Sequence, residues 1–370
     1  MNPLVALPMP EACVVGALED GREQGVSGLK VRLIGKANGV GLSRDFDLLS
    51  AALAAAGCEV MRRPCERADR KRRRGVLTRL GARLRRLPLA ARRRNAAAPF
   101  DLNIMLEHVW PQFLHEARGN VVVPNPEWFD RRDVAFLPYI DRIWAKTSYA
   151  QALFVARGCS SSWIGFDSEE RYWPQIARER RFFHLAGRSP LKGTERLLAL
   201  WHRHAEWPPL TVVQDISVQT GAGALPANIL LHNGYLSDEA LRSLQNSHRF
   251  HLCTSEAEGW GHYIVEAMST RAVTLTCDAP PMNELIDARR GLLVEGLSAG
   301  RHNLACLYRF DDRALERAVE RALALSPSEV EAMGDAARSW FVSNKRGFAG
   351  RIARALAELG ALARAQQAHQ

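Results

Sequence analysis

The sequence predicts an α/β protein of two consecutive domains, each a parallel sheet covered by helices. Three observations carry this. Short apolar strand-like runs alternate with helical stretches from Lys30 to Gly165, and a second alternation begins at Phe182. Arg249 to Cys277 reads as strand, glycine-bearing loop, helix and strand, a βαβ unit. With 370 residues, 47% of them hydrophobic, the chain is long enough to bury two cores.

Lys30-Val31-Arg32-Leu33-Ile34-Gly35 is the first strand, and a helix follows from Leu42 to Ala56, stopped by Gly57. The turn between them holds Gly39 and Gly41, but Arg44 stands where a dinucleotide fingerprint needs its third glycine. Strand two, Cys58 to Met61, runs into Arg62-Arg63 rather than a ribose-binding acid. A 2′-phosphate tolerates those arginines, so an NADP-dependent oxidoreductase stays open. Arg62 to Asn95 is strongly basic, with Arg70-Lys71-Arg72-Arg73-Arg74 and Arg92-Arg93-Arg94. Within it Leu77, Leu80, Leu84 and Leu87 share a helical face, with Arg79, Arg83 and Arg86 turned from its centre. Such a helix either lies on anionic lipid, each cation worth about 1 kcal/mol, or packs on the first sheet with its arginines in water. No aromatic residues interleave this run for base stacking, which counts against nucleic acid.

Asp101 to Leu106 is a strand ending at Glu107-His108, and residues just past a strand's carboxyl end line the crevice of an open α/β sheet. Val121-Val122-Val123 follows, then the Pro-rigid turn Pro124-Asn125-Pro126-Glu127 bearing an aromatic pair, Trp128-Phe129, either a packed loop or an acceptor-side wall. A strand at Arg142 to Lys146, a helix from Ser148 to Arg157 and a strand at Ser161 to Gly165 complete the first half. The polar stretch Asp167 to Arg180 is placed as the domain linker.

The second half opens with Phe182-Phe183-His184-Leu185-Ala186-Gly187 and a helix from Glu195 to His204. Between them Arg188 and Lys192 project two cations from a strand end, suited to neutralising a diphosphate. Strands at Leu210 to Val213 and Asn228 to His232 precede a loop, Asn233-Gly234-Tyr235-Leu236, and a helix from Ser237 to Ser247. Then comes Ser255-Glu256-Ala257-Glu258-Gly259-Trp260-Gly261-His262-Tyr263-Ile264-Val265-Glu266-Ala267-Met268. Gly259 and Gly261 let main-chain amides turn toward a ligand, and with the start of a helix they make an anion site. A carboxylate beside a phosphate is awkward, so Glu258 and Glu266 are better placed to accept hydrogen bonds from sugar or ribose hydroxyls. Gly291 to Val294 is read as the last strand. Helices follow at Asp312 to Leu325, Ser328 to Asn344 (capped by Ser328 with Glu331) and Phe348 to Ala368.

The bulk properties narrow the class. Seven scattered cysteines without a Cys-x-x-Cys pair argue against a disulfide framework or zinc site and fit a reducing cytoplasm. No apolar run reaches the length of a membrane span. Met1 to Gly28 is interrupted by Pro3, Pro8 and Pro10 and reads as a flexible leader rather than a signal peptide. A net charge of +10 calls for an anionic partner.

The Ser255–Met268 stretch and its acidic sequel Asp278 to Ile286 resemble the Glu-x7-Glu signature of retaining GT-B glycosyltransferases, especially glycosyltransferase family 4, with Trp260 in place of the common Phe. Gly187-Arg188 followed by Lys192-Gly193 is similar to the same family's Gly-Arg, short gap, Lys-Gly. The resemblance is dense from Phe182 to Gly296. It implies two Rossmann-like domains facing across a cleft: residues 29–170 for the acceptor, with the basic insert at 62–95, and 178–346 for the nucleotide sugar. A leader (1–28) and a C-terminal helix (347–370) returning to the first domain complete the layout. It implies a nucleotide-diphosphate sugar as co-substrate and no cofactor; with no Asp-x-Asp motif at a strand end, metal-independent transfer is expected. Arg188, Lys192, Glu258 and His108 become the catalytic set. Gly39, Gly41, Gly187, Tyr235, Leu236, Gly259, Trp260, Gly261, His262, Tyr263 and Glu266 line the donor, Tyr235 and Leu236 beneath the base. The expected acceptor is a glycan or lipid-linked hydroxyl in surface polysaccharide assembly, at a cytoplasmic or peripheral membrane site, with the Arg70–Arg94 region on an anionic membrane. A non-catalytic nucleotide-sugar or membrane-binding protein and a basic nucleic-acid binder remain alternatives from other classes.

Overall fold

A computed structural model describes residues 28–36, 41–66, 98–215 and 225–368, with side chains as far as Ala361. The leader, Gly39 and the basic stretch from 67 to 97 lie outside the described residues, so neither reading of that helix is decided. The front domain carries six parallel strands: β1 (Lys30–Lys36), β2 (Glu59–Cys65), β3 (Phe100–Glu107), β4 (Ala117–Pro124), β5 (Arg142–Ala145) and β6 (Ser161–Trp163). Their order is β2-β1-β3-β4-β5-β6. Helix α1 (Gly41–Ala55) connects β1 to β2, and α2 (Ser148–Val155) connects β5 to β6. Central strands are largely apolar because helices cover both faces: Val31, Leu33, Ile104, Val121 and Val123 are wholly buried, and the buried polar residues Arg32, Asn103 and Asn120 are hydrogen-bonded to one another. Arg62 and Arg63 belong to β2, which extends to Cys65 rather than stopping at Met61.

The rear domain has β7 (Glu179–Gly187), α3 (Thr194–Arg203), β8 (Leu210–Gln214), β9 (Ile229–Asn233), α4 (Asp238–Ser247), β10 (His248–Cys253), α5 (His262–Ser269) and β11 (Val273–Asp278). It ends with β12 (Gly291–His302), β13 (Ala305–Phe310), α6 (Asp312–Ala324) and α7 (Pro327–Ala368). The strand order is β13-β12-β11-β10-β7-β8-β9, parallel except for β12 and β13.

Three expectations are corrected here. Gly291 to Val294 is only the buried start of β12, which runs on to His302 and turns back as β13. Beyond Val294 the strand is mostly exposed and carries Gly296 and Gly300, with a register shift between Ser298 and Arg301, so no apolar alternation marks it. The two C-terminal helices are one, α7. Gly347 does not stop it; a Cβ there would stand 2.8 Å from Arg351 Nη1, and the bare backbone lets that guanidinium lie across the helix. Arg351 reaches Ile164 O at 2.7 Å and Asn344 Oδ1 at 2.8 Å, tying α7 to the front domain. The cap lies two residues before Ser328: the Ser326 amide donates to Glu329 Oε2 at 2.7 Å and the Glu329 amide to Ser326 Oγ at 3.3 Å, a reciprocal box.

The polar segment before β7, placed as the linker between the domains, is partly buried. Asp167, Ser168 and Arg171 are buried, and Arg171 donates to Asp238 at 2.5 Å and Gln245 at 2.8 Å. Its charges serve as glue between α4, α5 and α7 rather than as a hinge in water.

Candidate active site at the interdomain crevice

Lys192 is aimed by a short, glycine-dependent turn. Ser189 Oγ accepts from the Leu191 amide at 3.3 Å at the head of the 3-10 turn Pro190–Lys192, and Gly193 ends it in the left-handed conformation, φ 68°. A Cβ on Gly193 would stand 2.7 Å from the Thr254 carbonyl oxygen, so glycine alone lets the turn dock on the loop after β10. The Glu256 amide then donates to Leu191 O at 2.8 Å, and Thr254 Oγ1 to Lys192 O at 2.9 Å. The ammonium so placed lies 3.6 Å from the centre of the Tyr263 ring and donates to Glu258 Oε1 at 2.5 Å. Ser255 Oγ donates to the same carboxylate oxygen at 2.5 Å and meets the Tyr263 hydroxyl at 2.5 Å. Burial and the neighbouring Glu258 hold the Tyr263 phenol neutral by pushing its pKa far up.

Gly187 and Gly193 bracket this turn, but Arg188 does not join Lys192. Its guanidinium is 68% exposed and pairs with Asp215 at 2.5 Å, outside the Lys192–Glu258 pair. The backbone at Gly187 is left-handed, φ 56°, and its carbonyl accepts from the Asp215 amide at 3.0 Å. Tyr235 lies past the edge strand β9 with its ring in solvent, 87% exposed, and Leu236 beside it is half-buried.

Gly261 stands at the head of α5 with φ 93° and no side-chain cap; the Ile264 amide donates to Gly261 O at 2.9 Å, which leaves the His262 and Tyr263 amides as the first-turn donors at the helix start. Gly259 backs directly onto the front domain: a Cβ there would stand 2.3 Å from Asn125 Oδ1. Asn125 accepts from Lys146 at 3.1 Å, and Lys146 donates to Asp45 Oδ2 at 2.6 Å. Asp45 in turn pairs through Oδ1 with His262 Nε2 at 2.7 Å. His262 Nδ1 meets Ser168 Oγ at 2.9 Å, and Trp260 Nε1 donates to that hydroxyl at 3.1 Å. Burial opposes ionisation of Asp45, but Lys146 and His262 outweigh it and hold its pKa at about 2. Glu266 is 2% exposed; Arg44, from the first turn of α1, donates to its Oε1, and Gln245 Nε2 donates to its Oε2 at 3.1 Å.

His108 follows Glu107, whose φ of 64° is strained for a residue with a side chain. Its Nδ1 lies 2.9 Å from Asp133 Oδ2, and its Nε2 lies 3.1 Å from Glu107 Oε2 and 2.7 Å from Lys36 Nζ. Burial works against its proton, yet Asp133 and Glu107 win and raise its pKa. The imidazole is thus orientated on both nitrogens. Among the described residues no three His, Cys, Asp or Glu side chains converge on a metal-sized site.

The structure therefore gathers Lys192, Glu258, Gly259, Trp260, Gly261, His262, Tyr263 and Glu266 around one helix start, with Gly41 at the facing start of α1. It adds residues that sequence reasoning left out: Arg44, Asp45, Lys146 and Glu127. Arg44 is 222 positions from Glu266 and Asp45 is 217 from His262, so no local pattern links them.

Comparison with solved structures places the fold. No protein-family model matches the chain, and no curated protein matches it. Sucrose-phosphate synthase from Thermosynechococcus elongatus is similar over 90% of this chain and 100% of its own, at 16% identity and a TM-score of 0.65. Anabaena HepE in complex with UDP and glucose is similar over 89% of this chain and 100% of its own, at 16% identity and a TM-score of 0.64. The E. coli trehalose-6-phosphate protein bound with UDP-2-fluoro glucose matches 88% and 99%, at 12% identity and a TM-score of 0.60. The fold is GT-B. In GT-B terms, β1–β6 form the front Rossmann-like domain, β7–β13 the rear one, and α5 begins at the crevice between them.

Proposed function

We propose that the chain is a glycosyltransferase that moves a sugar from a nucleoside-diphosphate sugar to an acceptor hydroxyl, with retention at the anomeric carbon and without a metal. The observation that carries this is the Lys192–Glu258 pair at the head of α5, a cation and a carboxylate held together over an aromatic ring. On this reading Lys192 and the first-turn amides of α5 receive the diphosphate, whose charge grows as the glycosidic bond breaks. Glu258 then turns to the sugar hydroxyls, and Glu266 takes the ribose hydroxyls in place of Arg44. His108, fixed by Asp133 and Glu107, faces the acceptor side, and Arg188 swings from Asp215 to the diphosphate. UDP-glucose is the first donor to test, with UDP as its leaving group, since one of the similar proteins is described with UDP and glucose and another with UDP-2-fluoro glucose. We place the acceptor among glycans or lipid-linked glycans of a cell surface, with the Arg70–Arg94 region on anionic lipid at the cytoplasmic face. Among the described residues no helix is long and apolar enough to cross a membrane.

A thermal-shift panel of nucleoside diphosphates and nucleotide sugars tests the reading. Stabilisation by one diphosphate and its sugar, lost in Lys192→Ala, is the expected result. Stabilisation by NADP alone would replace the reading with an oxidoreductase.

A further inference from the structure

Glu127 sits in the loop after β4 with its side chain almost entirely buried, 5% exposed. Its main chain is clamped by the β12–β13 hairpin of the rear domain: His302 Nδ1 lies 2.7 Å from its carbonyl oxygen, and Asn303 Nδ2 donates to that oxygen at 2.7 Å. The Leu304 amide holds Pro126 O at 3.1 Å. The carboxyl itself is left half satisfied. One oxygen is served by the residue's own amide, while Oε2 has no hydrogen-bond partner. An unpaired polar atom at this depth costs about 1–3 kcal/mol, and an apolar side chain of the same size would avoid that.

The surroundings say what the atom faces. Glu258 from the rear domain, Glu107 from the end of β3 and Lys146 from the end of β5 are the charged groups acting on it. Lys146 is already engaged by Asp45 and Asn125, and Asn125 abuts Gly259. Glu127 therefore sits at the seam of the two domains, in a charged cluster with Glu258, Glu107 and Lys146. Burial and the two neighbouring carboxylates push its pKa up to about 8 against the pull of Lys146, so it carries a proton at neutral pH. A neutral carboxyl both donates and accepts, which matches a hydroxyl without adding a third negative charge.

We propose that Glu127 is a carbohydrate-binding residue whose unpartnered Oε2 hydrogen-bonds a sugar hydroxyl held between it and Glu258. The proposal rests on the glycosyltransferase reading and deepens it. The hydroxyl comes either from the donor's sugar or from the attacking acceptor, and two measurements separate these. UDP and UDP-glucose are titrated calorimetrically from pH 6.5 to 9.5 against the full chain, Glu127→Gln and Glu127→Leu. Release of UDP from saturating UDP-glucose, with water as acceptor, is followed over the same range.

A donor contact predicts that UDP-glucose, but not UDP, weakens about tenfold per pH unit above 8 in the native chain, whereas Glu127→Gln stays flat. An acceptor contact predicts that affinities hold and turnover falls with that slope, again flat in Glu127→Gln. Glu127→Leu loses the affected quantity at every pH. The idea is overturned if both variants keep native affinities, turnover and pH profile. UDP failing to bind the native chain would instead remove the donor reading, and this proposal with it.

Discussion

Glu258 and Glu266 flank one helix start, and each is held by a cation from a different half of the molecule. Lys192 reaches Glu258 from the same domain, on a turn fastened to the loop after β10. Arg44 reaches Glu266 from the facing domain, and Gln245 is that carboxylate's partner on its own side. Relative motion of the two domains leaves the first pair intact and breaks the second. The first is thus a preorganised group, whose geometry is set before any ligand arrives. The second is a contact that depends on closure, with Asp45 and His262 beside it as a further bond across the crevice.

The comparison predicts its largest effect at Lys192. Lys192→Ala removes the cation while Ser255 still holds Glu258, so the fold survives and turnover falls by about 10²–10³. Glu258→Gln keeps the shape and falls less, about tenfold to a hundredfold, because a neutral amide still meets hydroxyls. Steady-state rates on UDP-glucose with both variants decide. Equal, small losses in the two would mean the pair is only structural.

How much of this was legible in the sequence follows from the range of each contact. The Lys192 turn and the Glu258–Glu266 spacing are local, carried by Gly193, Gly259 and Gly261, and the strand alternation around them gave both sheets. The β12–β13 ribbon was not legible because its exposed residues lack an apolar period. The break read between Asn344 and Phe348 is continuous helix, and at Gly347 the missing Cβ leaves room for Arg351. Arg44 was visible only as an absent glycine, and Glu127 only as one member of a Pro-rigid turn. Their roles come from pairings that tertiary structure alone creates.

The front domain repeats the contrast between a paired and an unpaired acid, and pH separates them. Glu127 keeps its proton in the folded state up to about pH 8, while the unfolded chain releases it near the ordinary value. The folded state then binds more protons, so this residue lowers stability as pH rises from about 4.5 to 8. Glu127→Gln should gain about 4 kcal/mol over the native chain at pH 8 and nothing at pH 4, measured by urea unfolding. Asp45 runs the other way. With its folded pKa at about 2, its contribution of about 2 kcal/mol is complete above about pH 4 and disappears as pH falls through 2. The pH dependence of unfolding between 2 and 5 should flatten in Asp45→Asn. An unchanged slope would mean that Lys146 and His262 do not hold it.

Arg44 gives the smallest effect and the sharpest test of the comparison. If a ribose takes the place of Arg44 on Glu266, nucleotide binding must first displace a buried charge pair. Arg44→Ala then leaves Glu266 with Gln245 and open to hydroxyls, so UDP binds about tenfold tighter, about 1.4 kcal/mol. The same change loosens the front domain, because Arg44 also meets Glu169 at 3.4 Å, so the apo protein melts lower while the ligand-induced shift grows. The pairing of opposite signs is the point: a residue that merely stabilises the fold lowers the melting temperature without improving affinity. Weaker UDP binding in Arg44→Ala would make Arg44 a ligand group itself, and the contrast between a preset pair and a closure-dependent one would no longer hold.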